Sequence, residues 1–174
     1  EEIKAQVADL SEEERVRGLY LYNHDEKQII VSGGDHYGHY WLETTGGVNM
    51  AKELKGTATV SMEQIYQWNP EVIYISSFTT TMPEDILENK IAGQDWSQIE
   101  AVKNGRVYKE PVGVYRWYPP SGDAPLMLKW MANHQYPGLF SYDMEKELKE
   151  YYQRFYRYEL TDEDIEWILN PVRE

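Results

Sequence analysis

The chain has 174 residues, 41% hydrophobic and 14% aromatic, enough for one packed domain that buries roughly 70% of its unfolded surface. Thirty acidic residues against seventeen basic ones give a formal charge of −13, which repels nucleic acid and anionic membranes, and no local basic cluster offsets it. There are no cysteines, which excludes disulfides, thiolate zinc sites and cysteine nucleophiles, and no run reaches the ~18 apolar residues of a membrane span. No signal peptide opens the chain. "EEIKAQVADL" starts without a cap, as the end of a helix cut from something longer, and Ser11 is placed to cap one further turn.

"VRGLYLYN" and "KQIIVSG" are β-rich runs separated by the polar "HDE", predicting a hairpin or two consecutive strands. "HYGHYWLETTGG" predicts a short helix that ends at Gly46 or Gly47, and "NMAKELKG" a second one closed by Gly56. "TATV" reads as a short strand. Ser61 then caps a helix whose Met62, Ile65 and Tyr66 recur at helical spacing before Pro70 ends it. "EVIYIS" is the clearest buried strand, a short apolar run rich in β-branched residues. "MPEDILENKIAG" begins with a proline suited to the first helical turn and closes on a glycine, and "DWSQIEAVKNG" predicts another helix with a glycine stop before the strand "RVYKEPV".

The last third reads as helical. "DAPLMLKWMANHQYP" carries Leu126, Trp130 and Met131 on one face, and "MEKELKEYYQRFYR" repeats Met144, Leu148, Tyr151, Tyr152 and Phe155 at helical period. Thr161 caps "TDEDIEWILN", with acidic residues over the positive end of the helix dipole. Strands alternating with helices predict a three-layer α/β/α sandwich around a mainly parallel sheet.

Four segments in order, "TTGGVNMAKELKG", "VSMEQIYQWNPEVIYIS", "DWSQIEAVKNGRVYKEP" and "SGDAPLMLKWMANHQYPGLF", resemble the C-terminal lobe of iron-complex substrate-binding proteins. These are extracytoplasmic, commonly lipid-anchored receptors of ABC importers for ferric siderophores, haem and cobalamin. The resemblance runs from about Val16 to Leu169. It implies two lobes joined by a long helix, with residues 1–10 as the end of that helix and 11–174 as the C-terminal lobe, the N-terminal lobe lying outside this chain. It implies a ferric siderophore, haem or cobalamin-like ligand as transported solute, no resident cofactor, no catalysis, and an ABC permease as partner. In such receptors a glutamate on each lobe pairs with permease arginines, and the matching position here is Glu63, whose other reading is dipole compensation in a first helical turn.

In open α/β sheets ligands gather at the carboxyl ends of the strands. Three loops qualify: "SGGDHYGHYW", "SSFTTT" and "VGVYRWYPP". In the first, His36, Tyr37 and His39 admit three readings: a metal site with Asp35, a glycine turn into a core helix, or a ligand-contacting lip, which is the reading taken forward. In the second, Ser77 and Phe78 offer a hydroxyl and a ring, or simply a loop leading into the next helix. In the third, Arg116 offers a planar fork of donors for carboxylate or catecholate oxygens, while Tyr115 and Trp117 offer flat faces to a chelate; alternatively Trp117 packs under the final helices and Arg116 pairs with a surface acid. The tyrosine-rich "EYYQRFYRY" has the spacing of a helix packed on the domain. No phosphate loop or nucleophile–base pair is apparent, so a small metal-dependent hydrolase rests on His36, His39 and Asp35 alone, and a stand-alone interaction or sensor domain is the remaining alternative.

Overall fold

A computed structural model describes residues 1–173. After helix α1 (Glu2–Val7) and a 3₁₀ turn at Glu12–Glu14, strand β1 (Arg17–His24) forms an antiparallel hairpin with β2 (Ile29–Ser32). Then come α2 (Tyr37–Thr44), β3 (Val48–Asn49), β4 (Thr57–Val60), α3 (Met62–Trp68), β5 (Val72–Ile75), α4 (Pro83–Leu87), α5 (Glu100–Lys103) and β6 (Val107–Lys109). Three helices close the described chain: α6 (Ala124–Gln135), α7 (Met144–Phe155) and α8 (Asp162–Leu169). None is long and apolar enough to cross a membrane among the described residues.

The sheet order is β4-β2-β1-β5-β6, with the two-residue β3 pairing in parallel with the start of β1, beyond the reach of β2. The pairs β1–β5 and β5–β6 are parallel, whereas β1–β2 and β2–β4 are antiparallel. The α/β class holds, and the sheet is mixed: the short polar turn between β1 and β2 leaves no room for a crossover helix, so β2 must return antiparallel.

Side-chain alternation along the central strands builds two cores. Leu19, Leu21, Ile73 and Ile75 face Ile65, Ile86, Trp96 and Ala101. On the opposite face Tyr20 and Tyr74 meet Trp41 and Leu42 of α2, Leu126, Met127, Trp130 and Met131 of α6, Leu148 and Tyr152 of α7, and Ile165 and Ile168 of α8. Helices therefore cover both faces, giving three layers. Ile3 and Val7 of α1 pack on Ala132 and Phe140.

Two expected helices are corrected. Residues 50–56 form turns, because their backbone groups are taken elsewhere: Met50 N–H donates to Gly18 O (3.0 Å), Ala51 N–H to Asn49 Oδ1 (3.0 Å), and the carbonyls of Leu54 and Gly56 accept from Gly34 and Gly33 (both 2.8 Å). The helix expected from Asp95 is confined to α5, since the Asp95 carboxylate accepts from Ser97 N (3.0 Å) and Oγ (2.7 Å) and Trp96 is drawn fully into the core. Helix α4 likewise stops at Leu87, before a left-handed Asn89 (φ 53°), short of the expected glycine.

Candidate functional site

Parallel pairing brings the carboxyl ends of β1, β5 and β6 to one edge of the sheet, and the residues after each strand meet there. Helix α2 begins at the same place because Gly38 lets it approach the sheet: a Cβ at Gly38 would stand 2.6 Å from Ser32 Oγ and 2.8 Å from Tyr20 Cβ. The Gly38 amide instead donates to Ser32 Oγ (3.1 Å). Ser32 Oγ lies 2.7 Å from Tyr118 Oη, which lies 2.5 Å from His36 Nδ1. A consistent chain of donors runs from the Gly38 amide to Ser32, from Ser32 to Tyr118 and from Tyr118 to His36 Nδ1, placing the imidazole proton on Nε2. Burial lowers the His36 pKa, with Asp35 opposing, so the ring is neutral at pH 7.

Around this hub lies an aromatic ridge. Tyr22 packs edge-on against His36 (5.4 Å between centroids) and tilted on Phe78 (5.4 Å) and Tyr118 (5.6 Å). Tyr37 lies 5.2 Å from His36 and 6.0 Å from Tyr118. The Arg116 guanidinium sits 5.1 Å over the Phe78 ring while its Nε donates to Ser77 O (3.5 Å). Tyr37, Phe78 and Tyr115 are exposed on this end, at 45%, 37% and 52%.

Two depressions flank the ridge. One of about 620 Å³ is lined by His36, Tyr37, His39, Trp41 and the prolines Pro120 and Pro125. The other, about 440 Å³, is lined by Ser77, Phe78, Lys109, Arg116, Trp167 and Arg173. In a chain of charge −13, the second gathers three cations. Arg173 is paired with Asp85, and Lys109 is occupied by carbonyl oxygens, so Arg116 alone of the three has neither carboxylate partner nor full set of acceptors among the described residues.

The sequence candidates fare differently. His36, Tyr37, Phe78 and Arg116 come together. Ser77 is close by, but its hydroxyl donates to Oε1 of the buried Glu110 (2.6 Å), whose other oxygen accepts from Tyr20 (2.6 Å). Burial raises the Glu110 pKa against those hydrogen bonds. Tyr115 tips the turn closed by the Val112–Arg116 bridge and touches none of the ridge rings. His39 lines the first depression with His36 but stays outside the hydrogen-bonded chain, its buried Nδ1 3.9 Å from Glu43 and without a hydrogen-bond partner among the described residues. Trp117 is a correction: expected on display, it is fully buried, with Nε1 donating to Asp123 Oδ2 (3.1 Å). A large ring beside the apolar face of α6 gains more from burial than from exposure, and Asp123 supplies the acceptor its N–H needs. Glu63 is exposed at the start of α3, its pKa lowered by the Ser61 hydroxyl. Because β4 runs parallel in direction to β1, Glu63 stands at the same edge as the ridge.

Tyr22, Ser32 and Tyr118 were not anticipated. Tyr118 sits inside the quoted "VGVYRWYPP", Ser32 ends β2 and Tyr22 lies two residues before the end of β1, so nearness to a strand terminus was the available signal. The three residues on which the hydrolase alternative rested are not gathered into one cluster. His36 is engaged by Tyr118, Asp35 accepts from the Gly56 amide, His39 faces Glu43, and no group of three or more metal-binding side chains occurs among the described residues.

Comparison with known proteins bears on this geometry. A profile described as periplasmic binding protein matches residues 1–111. The molybdate-binding protein MolA of Haemophilus influenzae is 32% identical over 154 residues, 87% of this chain and 42% of MolA. A periplasmic solute binding protein of Veillonella parvula superposes with a TM-score of 0.88 at 41% identity, over 97% of this chain and 51% of that one. The structure of MolA bound to molybdate gives a TM-score of 0.72 at 31% identity, over 91% and 47% of the two chains. Helicobacter pylori CeuE with Ni(II) bound gives 0.72 at 29% identity, over 94% and 50%. The chain thus spans about half the length of the relatives it matches.

Proposed function

The chain belongs to the periplasmic binding protein family, and we propose that it is one ligand-binding lobe of an extracytoplasmic receptor that delivers a metal-containing solute to an ABC importer. The family consists of solute binders and not enzymes. In this reading residues 1–10 are the end of the inter-lobe helix and 11–174 the C-terminal lobe, supported by the half-length match to relatives.

The observation that carries the proposal is the meeting of three loops in one ridge, His36 and Tyr37, Ser77 and Phe78, Arg116 and Tyr118, at the carboxyl end of the sheet. The ligand reading taken forward is a metal chelate: an iron complex such as a ferric siderophore or haem, or a cobalamin-like cobalt chelate. Flat rings on Tyr22, Tyr37 and Phe78 suit its organic surface, Arg116 suits its oxygens, and neutral His36 offers Nε2. A second reading, a molybdate-like oxyanion, is favoured by the kinship with MolA and by Arg116, which of the three cations in the second depression alone has neither a carboxylate partner nor a full set of acceptors among the described residues. Glu63, exposed at the same edge, would steer docking to a basic permease.

Titration of the full-length receptor with a ferric siderophore, haem, Ni(II)–histidine and sodium molybdate tests this. Tight binding of an iron complex supports the first reading, tight binding of molybdate alone replaces it with the second, and binding of neither by a folded receptor removes the ligand-site assignment. The isolated chain, with one wall of the cleft, should bind orders of magnitude more weakly than the whole receptor.

A further inference from the structure

Lys109, the last residue of β6, is half-buried, and its Nζ donates to the carbonyl oxygens of Ser76 (2.9 Å), Thr79 (2.6 Å) and Thr81 (2.9 Å). An ammonium has three protons, and here each has one acceptor, all from a single loop of six residues. The rest of that loop is held by hydroxyls: Thr79 and Thr81 donate to His24 O (2.5 and 2.9 Å), and Ser76 donates to Tyr22 O (2.5 Å). Between these anchors the loop bulges outward and exposes Phe78, with Ser77 beside it. The carbonyls that Lys109 gathers would otherwise point into a low-dielectric interior without donors.

We propose that Lys109 is a positioning residue for the ligand site: its ammonium ties the Ser76, Thr79 and Thr81 carbonyls together and thereby fixes Ser77 and Phe78 on the ridge. The inference rests on the assignment of this ridge as the ligand site, but the loop's order can be measured without any ligand. The charged form is the one that pins, because a neutral amine has two protons and turns a lone pair toward the third carbonyl.

The environment makes that charge titratable in an accessible range. Burial lowers the Lys109 pKa to about 8. Glu110 on the same strand end and Asp85 from α4 oppose the shift, while Arg173 and Arg116 add to it. Glu84, Tyr108 and His134 line the depression on the other side of the amine. Of these, His134 is held neutral by burial with its pKa lowered to about 4, so it does not titrate alongside Lys109.

Hydrogen exchange of the 76–81 amides, followed as protection factors from pH 7 to 9.5, tests the pin in the unmodified protein. In openings that break the three bonds while the amine stays in its half-buried site, a charge is stranded below pH 8 but only a neutral amine above it, so protection through these openings is expected to fall about tenfold as the amine deprotonates. In Lys109→Met it should be low at every pH and lose its pH dependence. Flat protection factors in the unmodified chain, or a Lys109→Met loop as protected as the original, would overturn the pin. The full-length receptor titrated with the same molybdate and ferric siderophore probes supplies the second arm. Affinity that falls with loop protection supports positioning, whereas unchanged affinity with a loosened loop overturns it. Failure of the unmodified receptor to bind any probe, with loop protection behaving as expected, overturns the ligand-site assignment and the positioning role with it, while the pin itself stands.

Discussion

Residues 76–81 and residues 112–118 reach the ridge side by side, and each is held from below by one charged residue, half-buried Lys109 and fully buried Asp123, which have opposite sign and different allies. Lys109 collects three carbonyls from within the first loop. Asp123 accepts from the Val114 amide (3.1 Å), Trp117 Nε1 (3.1 Å), Tyr152 Oη (3.0 Å) and Tyr156 Oη (2.9 Å). The first arrangement is local. The second reaches from the loop into α7 and the apolar core, and Val112 N–H adds a bond to Ile168 O of α8 (3.1 Å). A loop that turns carbonyls inward needs a cation and one that turns an amide and an indole N–H inward needs an anion, so the sign of each anchor follows from the groups it must satisfy. Disturbing the second loop should therefore unsettle the fold, and disturbing the first should unsettle mainly the site.

The largest expected effect tests that asymmetry at its strong end. Trp117→Ala removes a fully buried ring from the helix-side core and should cost about 3–5 kcal/mol in chemical denaturation. A loss below 1 kcal/mol would return Trp117 to the displayed role and break the comparison. Asp123→Asn comes next. It replaces an acceptor-only carboxylate by an amide that cannot satisfy four donors, and about 2–3 kcal/mol should be lost. If Lys109→Met destabilises the protein as much as Asp123→Asn does, the distinction between a local and a core-linked anchor fails.

Arg116→Ala separates anchor from display within the second loop. The guanidinium covers Phe78 and makes one long bond to Ser77 O, so the melting temperature should hold while ligand affinity in the full-length receptor drops by about 2 kcal/mol or more. Equal affinity for the variant would take Arg116 out of the site.

Raising the pH sharpens the comparison without a mutation. The Lys109 pKa lies at about 8, below the ordinary 10.5, so between those values the unfolded chain holds more protons than the folded one. The cost of burying the charge is complete below pH 8 and is relieved as pH rises, so this group adds to global stability across the window while the 76–81 loop loosens. Exchange protection should drop in 76–81 and persist in 112–118; a parallel drop in both would point to general unfolding. The smallest effect on the molecule itself belongs to Glu63→Lys. With Glu63 exposed, affinity and melting temperature should barely change, whereas uptake by cells carrying the full-length variant should fall, and normal uptake would leave Glu63 only its place in the first turn of α3.

Sequence alone determined the α/β class, the central strand "EVIYIS", and the helices α3, α6, α7 and α8, because apolar period, caps such as Ser61 and Thr161, and stops such as Pro70 act within a few residues of where they are read. It also singled out three loops by their place after strands, and residues of all three meet in the aromatic ridge. Tertiary structure decided what depends on distant partners. "NMAKELKG" has helical composition, yet its carbonyls and amides are claimed by the glycine loop and by β1. Among seventeen basic and thirty acidic residues nothing local marks Glu110 and Asp123 as the acids that go inside, or Lys109 as the lysine that goes halfway. Their burial follows from acceptors and donors far along the chain, as does the meeting of Ser32, His36 and Tyr118, and a charge is taken into the interior only where such partners converge on it.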